Sequence, residues 1–366
     1  MNRTKRIATL AVASCLVIAS CGSDDPADTE ATSTTEAEPV ATEAPVVTEA
    51  PVATEAPVTT DAPVATDAPV ATDAPVETVP AVFPRTVEHA LGSTEIAAEP
   101  MRVVSLDRSL TDPVLALGLD LVGYTTYQDP DGDLPAYFGD ALADHAAEAE
   151  WVGDLLSPNL EAILALQPDL IVSSMVRHEA IYAELSQIAP TVMSESGGGG
   201  WKDNMRLVAE ATGREDVAEQ VLGDYEARAA EIGAAINEVA DSPTISVVRF
   251  LGEIRLYQPV SFSGTVLEDA GLARPESQQD REDFILQISE EELQLADADH
   301  LFFTVYDRED AEEAFAELEA RPLWQTLGAV QNGNAHPVVD DLWMSGVGVF
   351  GAHAILDDLA VTFGVG

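Results

Sequence analysis

Two arginines stand where an α/β protein can hold an anion. Arg177 comes just after the apolar run Leu170–Ser174, and Arg249 ends the run that starts at Ile245; both runs read as buried strands. Open α/β sheets bind ligands outside the carboxyl ends of their strands. A fixed cation there forms charge-assisted hydrogen bonds of about 1.5–3 kcal/mol each. Tyr306 and Trp343 also follow predicted strands and, with Tyr257, can wall a bulky ligand. The alternative for each arginine is a surface ion pair, and for each aromatic a place in the core. Trp201, at a helix start, reads as core.

Other reactive residue types lack a catalytic or metal-binding pattern. Cysteine occurs only at Cys15 and Cys21, so nothing downstream can be a thiol nucleophile or thiolate metal ligand. His89, His145, His178, His300, His336 and His353 are scattered, with no HExxH and no paired spacing for zinc or manganese. Asp129-Pro130-Asp131-Gly132-Asp133 echoes a calcium loop, but its glycine is misplaced and no glutamate follows at the required distance, so an exposed turn is expected. Gly197–Gly200 precedes a helix without the lysine of a phosphate loop and reads as a flexible loop. No G-x-S-x-G elbow marks a hydrolase. The expectation is a binding protein without a cofactor or bound metal of its own.

Charge narrows the partners. The 366 residues carry 17 Lys+Arg and 65 Asp+Glu, a formal net charge of −48, which argues against nucleic acid. Residues 84–366 alone hold 52 acids and 14 bases, and Lys202 is their single lysine.

The first 83 residues read as an address and a spacer. Arg3, Lys5 and Arg6 precede an uncharged stretch from Ile7 to Ser20, the basic and apolar regions of a secretory signal. It ends Ile18-Ala19-Ser20-Cys21, which resembles a bacterial lipobox. That resemblance implies removal of residues 1–20 and a lipid on Cys21, and hence an exported protein anchored to the outer face of the cell membrane. From Glu38 to Val76 a hexapeptide repeats with proline at 39, 45, 51, 57, 63, 69 and 75. Recurrent proline blocks helix and interior strand, so residues 22–83 are expected as an extended, disordered linker.

Residues 84–366 alternate strand and helix patterns. Strands are expected at Val103–Leu106, Leu121–Tyr124 and Asp169–Ser173, with helices at Leu110–Leu117, Asn159–Leu166 and Glu179–Ile188. A long helical stretch runs from Asp203 to about Ala240, where Gly213 is a candidate break. In it Val217, Val221, Tyr225, Ala229, Ile232, Ile236 and Val239 form one apolar stripe. The alternation resumes after Pro243, with strands at Ile245–Phe250, His300–Thr304 and Ala335–Val339, and helices at Ser289–Leu295, Ala311–Ala320 and Gly351–Thr362. The fold class is therefore α/β, most simply two lobes, 84–200 and 243–366, joined by one long helix, 201–240.

The order of several short stretches carries a family resemblance. These are Phe83–Val87, Arg102–Leu106, Ser157–Glu161 continuing to Pro168–Val172, Ile188–Val192 and Trp201–Asn204. Together, behind a lipobox and tether, they make residues 84–366 resemble the iron–siderophore (cobalamin-type) substrate-binding proteins of bacterial ABC importers. The resemblance implies Rossmann-like lobes with the ligand cleft between them, a single long rigid connecting helix that allows only a small closure motion, a ferric siderophore as ligand, an ABC permease and the membrane as partners, and a monomer. It puts Arg177 and Arg249 at basic cleft positions. It also implies one permease-docking glutamate per lobe: Glu161 in Pro158–Glu161, and Glu291 in Ile288–Glu292, with Glu290 and Glu292 as neighbouring choices. Haem, a cobalamin or a bare metal ion on the same fold is the near alternative; an exported enzyme and a tethered adhesive protein are more distant ones.

Overall fold

The computed structural model describes residues 83–127, 132–306 and 311–366. The signal, Cys21, nearly all of the linker and Asp129–Asp131 of the expected turn lie outside the described residues.

The first lobe opens with the hairpin β1 (Arg85–His89) and β2 (Gly92–Ile96). Its main sheet comprises β3 (Val103–Ser105), β4 (Leu121–Thr126), β5 (Glu150–Asp154), β6 (Ser157–Pro158), β7 (Leu170–Ser174) and β8 (Thr191–Ser194). Their spatial order is β6-β5-β4-β3-β7-β8, and every pairing is parallel except β5 with β6. β3 and β7 are buried along their whole length, as continuous Val/Ile/Leu runs require when helices cover both faces.

The second lobe comprises β9 (Ile245–Phe250), β10 (Ile254–Tyr257), β11 (Ile285–Ile288), β12 (His300–Val305) and β13 (Ala335–Pro337), in the order β11-β10-β9-β12-β13. This sheet is mixed. β9, β12 and β13 pair in parallel, whereas β10 turns back on β9 and pairs antiparallel on both sides. The two-lobed α/β expectation therefore holds, with an antiparallel flank that the apolar runs did not reveal.

The connecting element differs from one continuous helix. A helix from Trp201 to Thr212 ends at Gly213, whose φ of 71° is the left-handed geometry that glycine tolerates in a helix cap. The connecting helix proper is Glu215–Val239, 25 residues. Its buried face carries Ala218, Leu222, Tyr225, Ala229, Ile232, Gly233 and Ile236. The predicted stripe is correct from Tyr225 to Ile236 and wrong at the ends, because Val217 and Val239 are exposed. At the amino-terminal end the buried positions are the next residues on, Ala218 and Leu222.

Candidate functional site

A cavity of about 410 Å³ lies between the lobes, within the size range of small-ligand sites. Arg108, Arg177, Arg249 and Arg255 all line it, with Tyr127, Tyr257, Phe284 and Tyr306 as aromatic walls.

The first lobe supplies Arg108 and Arg177 from adjacent strand ends. Asp107 follows β3 and caps the helix Arg108–Ala116, accepting the Ser109 amide at 3.0 Å and the Ser109 hydroxyl at 2.8 Å. Its other oxygen accepts the Ser174 hydroxyl at 2.7 Å, tying β3 to the end of β7. Arg177 sits in the short helix Met175–His178, its Nε 4.0 Å from that Asp107 oxygen, with its side chain 44% exposed. His178 anchors the same turn. Its ring lies 2.7 Å from the Ser173 hydroxyl and 2.7 Å from the Leu155 carbonyl. Burial lowers its pKa, so near neutral pH it is a neutral brace rather than a third cation.

The second lobe holds its arginines more tightly. Arg249 donates to both oxygens of Asp340, at 2.7 and 2.6 Å, and lies over the Tyr306 ring at 4.6 Å. Its Nη1 is 3.5 Å from the Tyr257 hydroxyl. Asp340 also accepts the Thr304 hydroxyl at 2.7 Å. Burial opposes the Arg249 charge, but Asp340 prevails and holds its pKa above the ordinary value. Arg255, directly opposite Arg249 on β10, is paired with Glu253 at 2.6 Å. Arg249 is thus both a cleft residue and an ion-pair member, the two readings that its sequence left open.

Four expected ligand residues, Arg177, Arg249, Tyr257 and Tyr306, meet at this cavity. Trp343 does not. It is wholly buried, stacked on Phe302 at 4.8 Å, and its indole donates to Asp358 at 2.8 Å. The cause is the short helix Asp340–Trp343 that intervenes after β13 and turns the indole into the core. Gly197–Gly199, expected only as a loop, also line the cavity. A Cβ on Gly199 would lie 2.1 Å from the Val260 carbonyl oxygen, so glycine permits the lobes to touch there.

Arg108 and Arg255 were missed. Arg108 lies three residues beyond β3 and satisfies the strand-end rule that selected Arg177. Arg255 lies within the antiparallel flank, where that rule gives no signal. Trp201 is core, as expected. Among the described residues no three His, Cys, Asp or Glu side chains gather in a way that could hold a metal ion.

The expected docking residues lie outside the cavity. Glu161 is exposed in the first turn of the helix Leu160–Leu166, whose cap, the Asn159 side chain, accepts the Glu161 and Ala162 amides, each at 3.1 Å. Glu291 is exposed in the turn Glu290–Ala296. Its neighbour Glu292 is engaged in a capping box with Ser289.

The sequence profile of a family described as periplasmic binding protein matches residues 103–335. The chain is 39% identical over 290 residues to a probable siderophore-binding lipoprotein of Bacillus subtilis, covering 76% of this chain and 87% of that one. It is 30% identical to an achromobactin-binding periplasmic protein of Dickeya dadantii, covering 73% and 87%. Among solved structures, Staphylococcus aureus SirA complexed with staphyloferrin B matches with a TM-score of 0.69 at 31% identity, covering 77% of this chain and 99% of that one.

Proposed function

We propose that this chain, which belongs to the periplasmic binding protein family, captures a ferric siderophore between its lobes and delivers it to the permease of an ABC importer. The observation that carries the reading is the convergence of four arginines and four aromatic rings on one interlobe cavity. A ferric siderophore presents its iron already wrapped in chelator oxygens. Its receptor therefore needs cations for the outer oxyanions and flat apolar walls, rather than metal ligands. The relatives' names, which specify siderophore and achromobactin binding, support the same cargo.

The strong negative charge of the chain does not oppose this. At physiological ionic strength exposed charges more than about 8 Å away are largely screened, so the cavity's own arginines and the carboxylates paired with them set the local field. Arg177 is the most available of these, being nearly half exposed and only loosely paired. Tyr257 and Tyr306 contribute ring faces, and Arg249 a cation held in place by Asp340.

Delivery follows from the remaining assignments. Residues 1–20 act as the signal, Cys21 carries the lipid, and residues 22–83 tether a receptor composed of lobes 84–200 and 243–366. Glu161 and Glu291 engage the permease, one from each lobe, and the receptor works as a monomer.

The test is a titration of the full chain with ferric citrate, a ferric catecholate and a ferric hydroxamate, followed by tryptophan fluorescence. Haem, cobalamin and free iron serve as comparators. Saturable quenching by one chelate class, with free iron inactive, is the expected result. A response only to haem, cobalamin or bare metal replaces the ligand, and silence from every probe contradicts the receptor reading.

A further inference from the structure

The short helix Asp340–Trp343 begins with two consecutive carboxylates, and each holds one cleft arginine. Asp340 grips Arg249 of its own lobe through two hydrogen bonds and accepts Thr304 as well. Both members of that pair are only 16% exposed, so it is a fixed part of the cavity wall. Asp341 reaches across the lobe boundary instead. Its Oδ1 lies 3.2 Å from Nη1 of Arg108, in the helix after β3, and both residues line the cavity.

The two pairs differ in how readily they open. Asp341 is 67% exposed and makes one single-point contact, whereas Arg108 is 20% exposed and faces the cavity. An exposed single-point ion pair contributes little, and water replaces either partner easily. A bidentate oxyanion delivered into a cleft that excludes water binds the same guanidinium more strongly. The structure therefore contains an arginine whose present partner is weak and replaceable. That partner is itself a carboxylate, the same kind of group that an anionic ligand presents.

We infer that Asp341 is a built-in, displaceable counter-ion of the cleft: it occupies Arg108 across the lobe boundary until an oxyanion of the ligand takes its place. This rests on the reading of the cavity as the ferric-chelate site. The counter-ion sets a threshold. Simple anions must compete with a tethered carboxylate for Arg108, whereas a chelate that also engages Arg177 and the ring walls carries enough other contacts to displace it. Asp341 acts through Arg108 and is a positioning residue that sets this threshold.

The test uses the full chain as wild type, Asp341→Asn, Arg108→Gln and the double variant, titrated with ferric citrate and with iron-free citrate. Asp341→Asn is expected to bind both about two- to five-fold more tightly than wild type, by the same factor for each, because each must open the same pair. In the Arg108→Gln background the same substitution is expected to give no gain. Unchanged or weakened binding by Asp341→Asn overturns the inference. So does an equal gain with and without Arg108, which would make Asp341 a source of general repulsion. If the wild type ignores every chelate of the wider panel, the receptor reading falls separately. Iron-free citrate then still decides: capture by Asp341→Asn but not by the double variant sustains the inference, and capture by neither overturns it.

Discussion

Asp112 couples the two lobes through a buried carboxylate, and its removal gives a measurable pH signature. It lies in the helix Arg108–Ala116 of the first lobe and is wholly buried. Its oxygens accept the amides of Val349 at 2.7 Å and Phe350 at 3.1 Å, the first residues of the carboxyl-terminal helix Val349–Phe363. That helix has no side-chain cap of its own, because Gly348 precedes it, so the cap comes from the other lobe. Burial pushes the Asp112 pKa from 3.8 up to about 8, against the lowering effect of the Val349, Phe350 and Gly351 amides. The folded value thus lies above the unfolded one. Between about pH 4 and 8 the folded chain binds a proton that the unfolded chain has released, so this group's contribution to stability falls as pH rises. The slope is about 1.4 kcal/mol per pH unit.

Asp112→Asn keeps the shape and one acceptor while removing the titration. Raising the pH from 5 to 7 is therefore expected to improve the variant relative to wild type by about 3 kcal/mol. Asp112→Ala removes both acceptors, a loss of about 1–3 kcal/mol, and also removes the proton uptake that costs wild type about 1.4 kcal/mol per pH unit above 3.8, so its net destabilisation shrinks from pH 5 to 7. Urea unfolding of the full chain at pH 5, 6 and 7 reads both effects, since Trp201, Trp324 and Trp343 are buried reporters. A stability difference that stays flat from pH 5 to 7, or moves in favour of wild type, would refute the argument. It would mean that the helix amides, not burial, govern the carboxyl.

Three further outcomes are expected. Arg177→Gln should weaken ferric-chelate binding about ten-fold or more while leaving the unfolding midpoint unchanged, and equal affinity in a titration removes it from the site. Trp343→Phe loses the hydrogen bond to the Asp358 carboxylate and leaves a void in the core, so it should cost about 2–4 kcal/mol in urea unfolding with affinity intact; weaker binding at unchanged stability would return the indole to the cleft. Glu161→Ala should lower cellular iron uptake while the purified chain keeps its affinity and melting temperature. Unimpaired uptake discards that docking residue.

What the sequence revealed follows from the range of its physics. Buried parallel strands are continuous apolar runs, so β3, β7, β9 and β12 were evident, and their ends identified Arg177 and Arg249. The antiparallel flank is short, four residues in each of β10 and β11, β11 is half exposed, and Arg255 and Gln287 break the apolar pattern, so Arg255 went unseen with it. Asp340 lies 91 residues from Arg249, and no local pattern pairs one acid out of 52 with a given arginine. Trp343 shows the same limit from the other side. A strand end predicts where the chain emerges, but one turn of helix after β13 is enough to redirect an indole from cleft to core. Gly213 was legible as a break because its cost inside a helix is local. The displaced stripe at Val217 was not, because the partner surface decides which of two adjacent apolar positions is buried.

Capture of a ferric chelate between the lobes is decided by the position of the iron itself, from anomalous scattering in crystals of the chain grown with that chelate. A single iron peak is expected inside the interlobe cavity, between Arg177 and the Arg249–Tyr306 pair, coordinated by chelator oxygens alone. Iron ligated by a protein side chain, or a peak outside that cavity, would contradict it.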